Sequence, residues 1–96
     1  MIGTLENRRT LMTLLEDWLK RKVATRTFID RYWRLRSWIL ETAPETFSGR
    51  FGELFTKVEG AISVYADEPE SPNEINEEEL REEGMKVYDE LPDALS

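Results

Sequence analysis

Apolar side chains in the first part of this chain return every three or four residues and never alternate. Leu11, Leu14, Leu15, Trp18 and Leu19, joined at the start by Leu5, predict a helix from about Thr4 to Lys22. Gly3 and Thr4 serve as start signals, and Lys20, Arg21 and Lys22 place positive charge at the end the helix dipole favours. After a break at Val23-Ala24, Thr25 is placed to cap a second helix running to about Glu41. Its stripe is Phe28, Tyr32, Leu35 and Ile39, with Ile29, Trp33 and Leu40 beside it. Asp30 and Arg34 stand four apart in acid-first order and are expected to pair. Pro44 disfavours a helical Ala43 and ends the element.

Thr42 to Arg50, with Pro44, Ser48 and Gly49, reads as a loop with room for one helical turn around Phe47. Phe51, Leu54, Phe55, Val58, Ile62 and Tyr65 predict a third helix ending near Ala66. Asp67 to Glu74 contains Pro69 and Pro72 and no apolar side chain, which makes it an exposed loop. Asn76 followed by Glu79 is an Asn form of the capping box. It opens a fourth helix over residues 77–91, with Leu80, Gly84, Val87, Tyr88 and Leu91 inward and Pro92 as its stop. Gly84 costs a helix about 1 kcal/mol relative to Ala, so close approach of a neighbour is the expected reason for it. Each stripe is too narrow for a helix buried all round. The pattern therefore predicts one all-α domain over residues 1–96, a small antiparallel four-helix bundle.

Composition narrows the chemistry. At 96 residues with 40% hydrophobic side chains, including three Trp, four Phe and three Tyr, the chain can bury one core. It has neither Cys nor His. Disulfides, thiolate or imidazole metal sites, the commonest general base and the cysteine nucleophile are thereby excluded. We expect no catalytic residues, no cofactor and no metal, hence a non-enzyme. The N-terminus MIGTLENRRTL has no apolar signal core, and no apolar run approaches the roughly 18–20 residues of a membrane span. The expectation is a soluble cytoplasmic protein with no membrane contact.

Charge changes the picture most. Residues 1–40 hold nine Lys/Arg against four Asp/Glu (+5), and residues 41–96 hold four against sixteen (−12), which sums to the net −7. Asp67 to Asp93 carries twelve carboxylates offset only by Arg81 and Lys86. Part of this run has an ordinary explanation, since Glu77, Glu78 and Glu79 complement the fourth helix's dipole. Asp67, Glu68, Glu70 and Glu74 extend it beyond what a helix end requires, and Glu53 and Glu59 are expected near the same side. A calcium loop needs a central Gly and regularly placed ligands, which D-E-x-E-x-x-x-E lacks. A glycosidase-like carboxylate pair needs a substrate cleft for which this domain leaves little room. A dense anionic face without catalytic side chains points to binding a basic partner.

The first half invites a different use. Arg8, Arg9, Lys20, Arg21, Lys22, Arg26, Arg31, Arg34 and Arg36 surround Trp33 and Trp38, a mixture able to hold phosphates and stack bases. The sequence pI of about 4.6 opposes this at long range. Trp33 and Trp38 cannot both face the interior with Phe28, Tyr32, Leu35 and Ile39, so Trp38 is the expected surface aromatic.

Three segments carry a family resemblance: L-x-x-W-L-K-R-K-V-A-T-R-T-F-x-D-R-Y, then G-E-L-F-T-K-V-E with an acidic loop after it, then E-E-E-L-R-E-E-G. Between about Leu11 and Leu91 the chain resembles the colicin D immunity protein family and related bacterial self-protective immunity proteins, some paired with contact-dependent inhibition toxins. The resemblance implies a four-helix bundle that binds the C-terminal nuclease domain of a tRNA-cleaving toxin, in a 1:1 complex. Carboxylates standing in for RNA phosphates would block the toxin's basic cleft. Carried onto this chain, Glu59, Asp67, Glu68 and Glu70 are the candidates, with Glu53 secondary. Glu78, Glu79, Glu82 and Glu83 on the fourth helix form a competing surface. The rival expectations are a non-inhibitory adaptor using the same acidic face and a small nucleic-acid binder using the Arg-rich first two helices.

Overall fold

The computed structural model describes residues 2–95 and is an all-α domain. Its helices are α1 (Ile2–Leu19), α2 (Thr25–Thr42), α3 (Gly49–Ser63) and α4 (Glu77–Ala94), with a 3-10 turn at Pro44–Phe47 between α2 and α3. There is no β-sheet among the described residues. The Cα radius of gyration is 13.2 Å, near the roughly 13 Å expected for a folded chain of this length. α3 and α4 pack most extensively on each other, while α1 packs on both α2 and α4.

The stripes meet as the periodicity predicts, except at Leu5, which is 43% exposed because its place six residues before Leu11 turns it by about 240° away from the buried face of α1. Leu11, Leu15 and Trp18 from α1, Phe28, Tyr32 and Ile39 from α2, Phe51, Leu54, Phe55 and Val58 from α3, and Leu80, Val87 and Leu91 from α4 are buried in one cluster. Through it runs a continuous row of rings. Trp18 stacks on Phe28 at 4.4 Å and 6°, Phe28 lies 6.3 Å from Tyr32, Tyr32 5.7 Å from Phe55, and Phe55 5.0 Å from Phe51. A guanidinium closes each end: Arg81 over Trp18 at 5.0 Å and Arg8 over Phe51 at 5.1 Å. Ring faces are the negative ends of aromatic quadrupoles, so a cation is the favourable terminus for such a row.

Element ends depart from the sequence-based bounds for identifiable reasons. α1 stops at Leu19, and Lys20 to Lys22 form the turn after it. Arg21 takes a left-handed backbone (φ 63°), its N–H donating to the Trp18 carbonyl at 2.9 Å and that of Lys22 to Asp17 at 2.8 Å. This is a Schellman closure with Arg where Gly is usual. Ala24, not Thr25, is the N-cap of α2 and makes no side-chain cap bond. The Thr25 hydroxyl is buried and accepts Trp18 Nε1–H at 2.9 Å, which takes it away from capping. Asp30 and Arg34 form no ion pair, despite their spacing.

α3 ends at Ser63 rather than Ala66, because Val64 to Ala66 turn away to pair with Ile75. The capping box is present: Glu79 N–H donates to Asn76 Oδ1 at 2.9 Å, and Asn76 N–H to Glu79 Oε1 at 3.2 Å. α4 then runs through Pro92 to Ala94. Pro92 is exposed in the last turn, while Leu91 and Ala94 on either side are buried, so apolar burial holds the helix past a residue that removes one backbone donor. Gly84 meets its expected neighbour: a Cβ there would lie 2.7 Å from Trp18 Cζ3.

Candidate functional site: the acidic loop and the outer face of α4

The acidic segment hangs on a two-bond clasp. Ile75 N–H donates to the Val64 carbonyl at 2.9 Å and Ala66 N–H to the Ile75 carbonyl at 3.0 Å, forming a parallel bridge between Tyr65 and Ile75. Both of these side chains pack against the core. Residues 67–74 therefore form a loop whose ends are drawn together. Inside it, Glu74 Oε1 accepts the N–H groups of Glu70 and Ser71 at 3.0 and 3.1 Å.

The candidate carboxylates fall into two groups. Some are engaged within the fold. Glu59 is one-fifth exposed and accepts Tyr32 Oη–H at 2.5 Å and Arg36 Nε–H at 2.7 Å, which fastens α2 to α3. Burial and donation to Glu59 push the Tyr32 phenol well above its ordinary range. Asp67 accepts Tyr65 Oη–H at 2.6 Å and lies 3.0 Å from Arg26. These two partners, Tyr65 first, hold its carboxyl below the usual range, while partial burial and the same bond push Tyr65 up to about 12. Glu53 pairs with Arg50 at 3.4 Å, and Glu79 is occupied by the cap. Glu53 and Glu59 do not share a side, since six residues turn a helix by about 240°.

The others face solvent. Among the described residues, Glu68, Glu70, Glu78 and Glu82 are exposed and have no ion-pair partner, whereas Glu83 pairs with Lys86 at 3.4 Å. The helical register of α4 adds Asp89 and Asp93, which are exposed, likewise without an ion pair, and absent from the sequence-based candidates. Positions 78, 82, 89 and 93 form one acidic strip along the helix, with exposed Met85 in the same strip. The signal was in the sequence as i, i+4, i+11 and i+15 spacing. It was masked because the run reads first as a count of charges.

Four of the nine cations of the first half are engaged within the fold. Arg8 is only 9% exposed and donates to the carbonyls of Thr46 (2.9 Å), Leu95 (3.1 Å) and Ser48 (3.2 Å). Arg26 and Arg36 hold Asp67 and Glu59, and Lys20 holds Glu16 at 3.0 Å. Arg9, Arg21, Lys22, Arg31 and Arg34 are exposed with no ion pair among the described residues, and Arg31 and Arg34 share one strip of α2 with Trp38, which is 54% exposed. An open groove of about 300 Å³ between α1 and α4 is lined by Arg9, Met12, Thr13, Glu16, Tyr88 and Leu95, at the lower limit for a ligand pocket.

Among the described residues there is no Asp/Glu cluster disposed to hold a metal ion, and no helix is long and apolar enough to cross a membrane. No family model, no curated protein and no solved structure matches the chain.

Proposed function

We propose that this chain is an immunity protein that binds the basic C-terminal nuclease domain of a cognate bacterial toxin 1:1 and covers its active site. The observation that carries this reading is the outer acidic surface. Among the described residues, Glu68 and Glu70 on the clasped loop, and Glu78, Glu82, Asp89 and Asp93 along α4, are exposed on the helical frame with no ion-pair partner. A cleft built to hold RNA phosphates is basic, and fixed carboxylates complement it without offering a cleavable bond. Exposed carboxylates i and i+4 on one helix repel each other, so the fold gains nothing from them, which favours a use outside it. Glu59 serves in the frame as the link between α2 and α3. Inhibition would come from occlusion and charge mimicry, with no chemical step. The bacterial cytoplasm, where such a toxin would be neutralised in the producing cell, follows from the same reading.

The test is a purified basic nuclease domain encoded beside this protein, presented with tRNA in a cleavage assay. One equivalent of the protein should abolish cleavage, association should slow as salt rises, and Glu78→Lys/Glu82→Lys should release the nuclease. Full inhibition by that charge-reversed variant would sink the proposal.

A further inference from the structure

We propose that this protein associates head to tail with a second copy of itself, the α2 strip of one copy seating on the α4 strip of the next. Trp38 and Met85, at 54% and 47% exposed, are the two most exposed large apolar side chains among the described residues. Each stands at the C-terminal end of a strip with two charges of one sign before it. On α2 these are Arg31 and Arg34, at i and i+3 with Trp38 at i+7; on α4 they are Glu78 and Glu82, at i and i+4 with Met85 at i+7. None of the four charges has an ion-pair partner among the described residues.

Both strips cover about 10 Å of helix, so they match in length and are opposite in sign. Laid together they set two guanidiniums against two carboxylates and a thioether beside an indole, a favourable sulfur–aromatic contact. The two faces differ, so the interface is heterologous, and each added copy presents the same free face again. Its size falls below the roughly 1,200 Å² of a standard stable interface, and the net −7 opposes it at long range. The association is therefore weak and belongs to high local concentration. It stands apart from the toxin-binding reading, although it would cover part of the same α4 surface.

Sedimentation equilibrium from micromolar to millimolar protein reads it directly. The weight-average mass should climb above the 11.3 kDa of one chain without levelling at two. Arg31→Gln/Arg34→Gln and Glu78→Gln/Glu82→Gln should each stay monomeric, with association weakened about tenfold or more. Mixed in equal amounts, the two variants retain one good face each and should stop at a heterodimer. Circular dichroism melts check that both fold, which their exposed positions favour. A wild-type chain that stays monomeric throughout, variants that associate as the wild type does, or a mixture that remains monomeric would each overturn the proposal.

Discussion

The Arg8 guanidinium lies 5.1 Å above the Phe51 ring while donating to the carbonyls of Thr46, Ser48 and Leu95. One side chain thus ties α1 to the 3-10 turn, to the start of α3 and to the C-terminal end of α4. Among the described residues no carboxylate pairs with it; peptide dipoles and a ring face meet it instead. Arg8→Met keeps much of the volume but leaves buried carbonyls without donors, and should cost about 3 kcal/mol. Arg8→Lys should recover little, because a point ammonium cannot match a planar fork that also stacks. Urea unfolding of the three proteins checks the order wild type, Lys, Met.

Two glycines should respond to alanine with opposite signs. At Gly84 the new Cβ would lie 2.7 Å from Trp18 Cζ3, and Trp18 cannot give way. It is fully buried, stacked on Phe28, bonded to Thr25 and covered by Arg81. The overpacking should outweigh the helix-propensity gain, for a net loss of about 1–2 kcal/mol. At Gly60 nothing lies within 4 Å of the added atom, and the same change should stabilise α3 by about 0.5–1 kcal/mol. Thermal melts of both variants settle the signs.

Arg21 offers a third stability test. Its left-handed φ of 63° is costly for a side chain bearing a Cβ and natural for Gly. Arg21→Gly should raise stability by up to about 1 kcal/mol, and Arg21→Val should lower it by more than that. Chemical denaturation of the pair distinguishes backbone strain from any role of the exposed guanidinium.

The helical stripes were legible in the sequence because each apolar position repeats at the helical period. The capping box was legible because Asn76 and Glu79 are three apart, and the clash at Gly84 because a mid-helix glycine needs a neighbour. Arg8 was not. It falls three before Leu11 and seven before Leu15, on the apolar stripe itself, but a charged side chain there reads as surface until the carbonyls it meets are known. Nor was Glu59, whose engagement depends on Tyr32 and Arg36 from another helix. Local spacing also overstated the Asp30–Arg34 pair and the cap at Thr25, where partners distant in sequence or solvent took the same groups.

All three tyrosines donate to carboxylates: Tyr32 to Glu59, Tyr65 to Asp67 and Tyr88 to Glu16. Each phenol is raised above its ordinary value, Tyr65 to about 12. A raised folded-state pKa gives stability that is complete below the unfolded value of about 10 and is lost as pH rises through the folded one. Alkaline titration followed at 295 nm should therefore show phenolate forming later than in free tyrosine, with a cooperative rise coincident with unfolding. Asp67 and Glu16 have lowered values, so their contribution is present above about pH 4 and disappears on acidification. A Tyr32→Phe chain should lose the steepest part of the alkaline transition; early independent titration of all three phenols would contradict this account.

Stability and binding should pull apart at Glu82. It stands four residues after Glu78 on the exposed face of α4, where like charges cost a few tenths of a kcal/mol, about 0.2–0.5. Glu82→Lys converts that repulsion into an acid-first pair on the same helix turn and relieves the crowding of carboxylates around it. The melting temperature should rise, by about 2–4 °C for a gain near 0.5 kcal/mol in a domain of this size. If the outer strip serves only to keep the chain in solution, nothing else should change. If it is the surface that meets a basic partner, the same substitution should slow association and weaken the complex while the free protein becomes more stable. A melt together with a binding rate, measured on one variant, separates a strip kept for use from a strip that the fold merely tolerates.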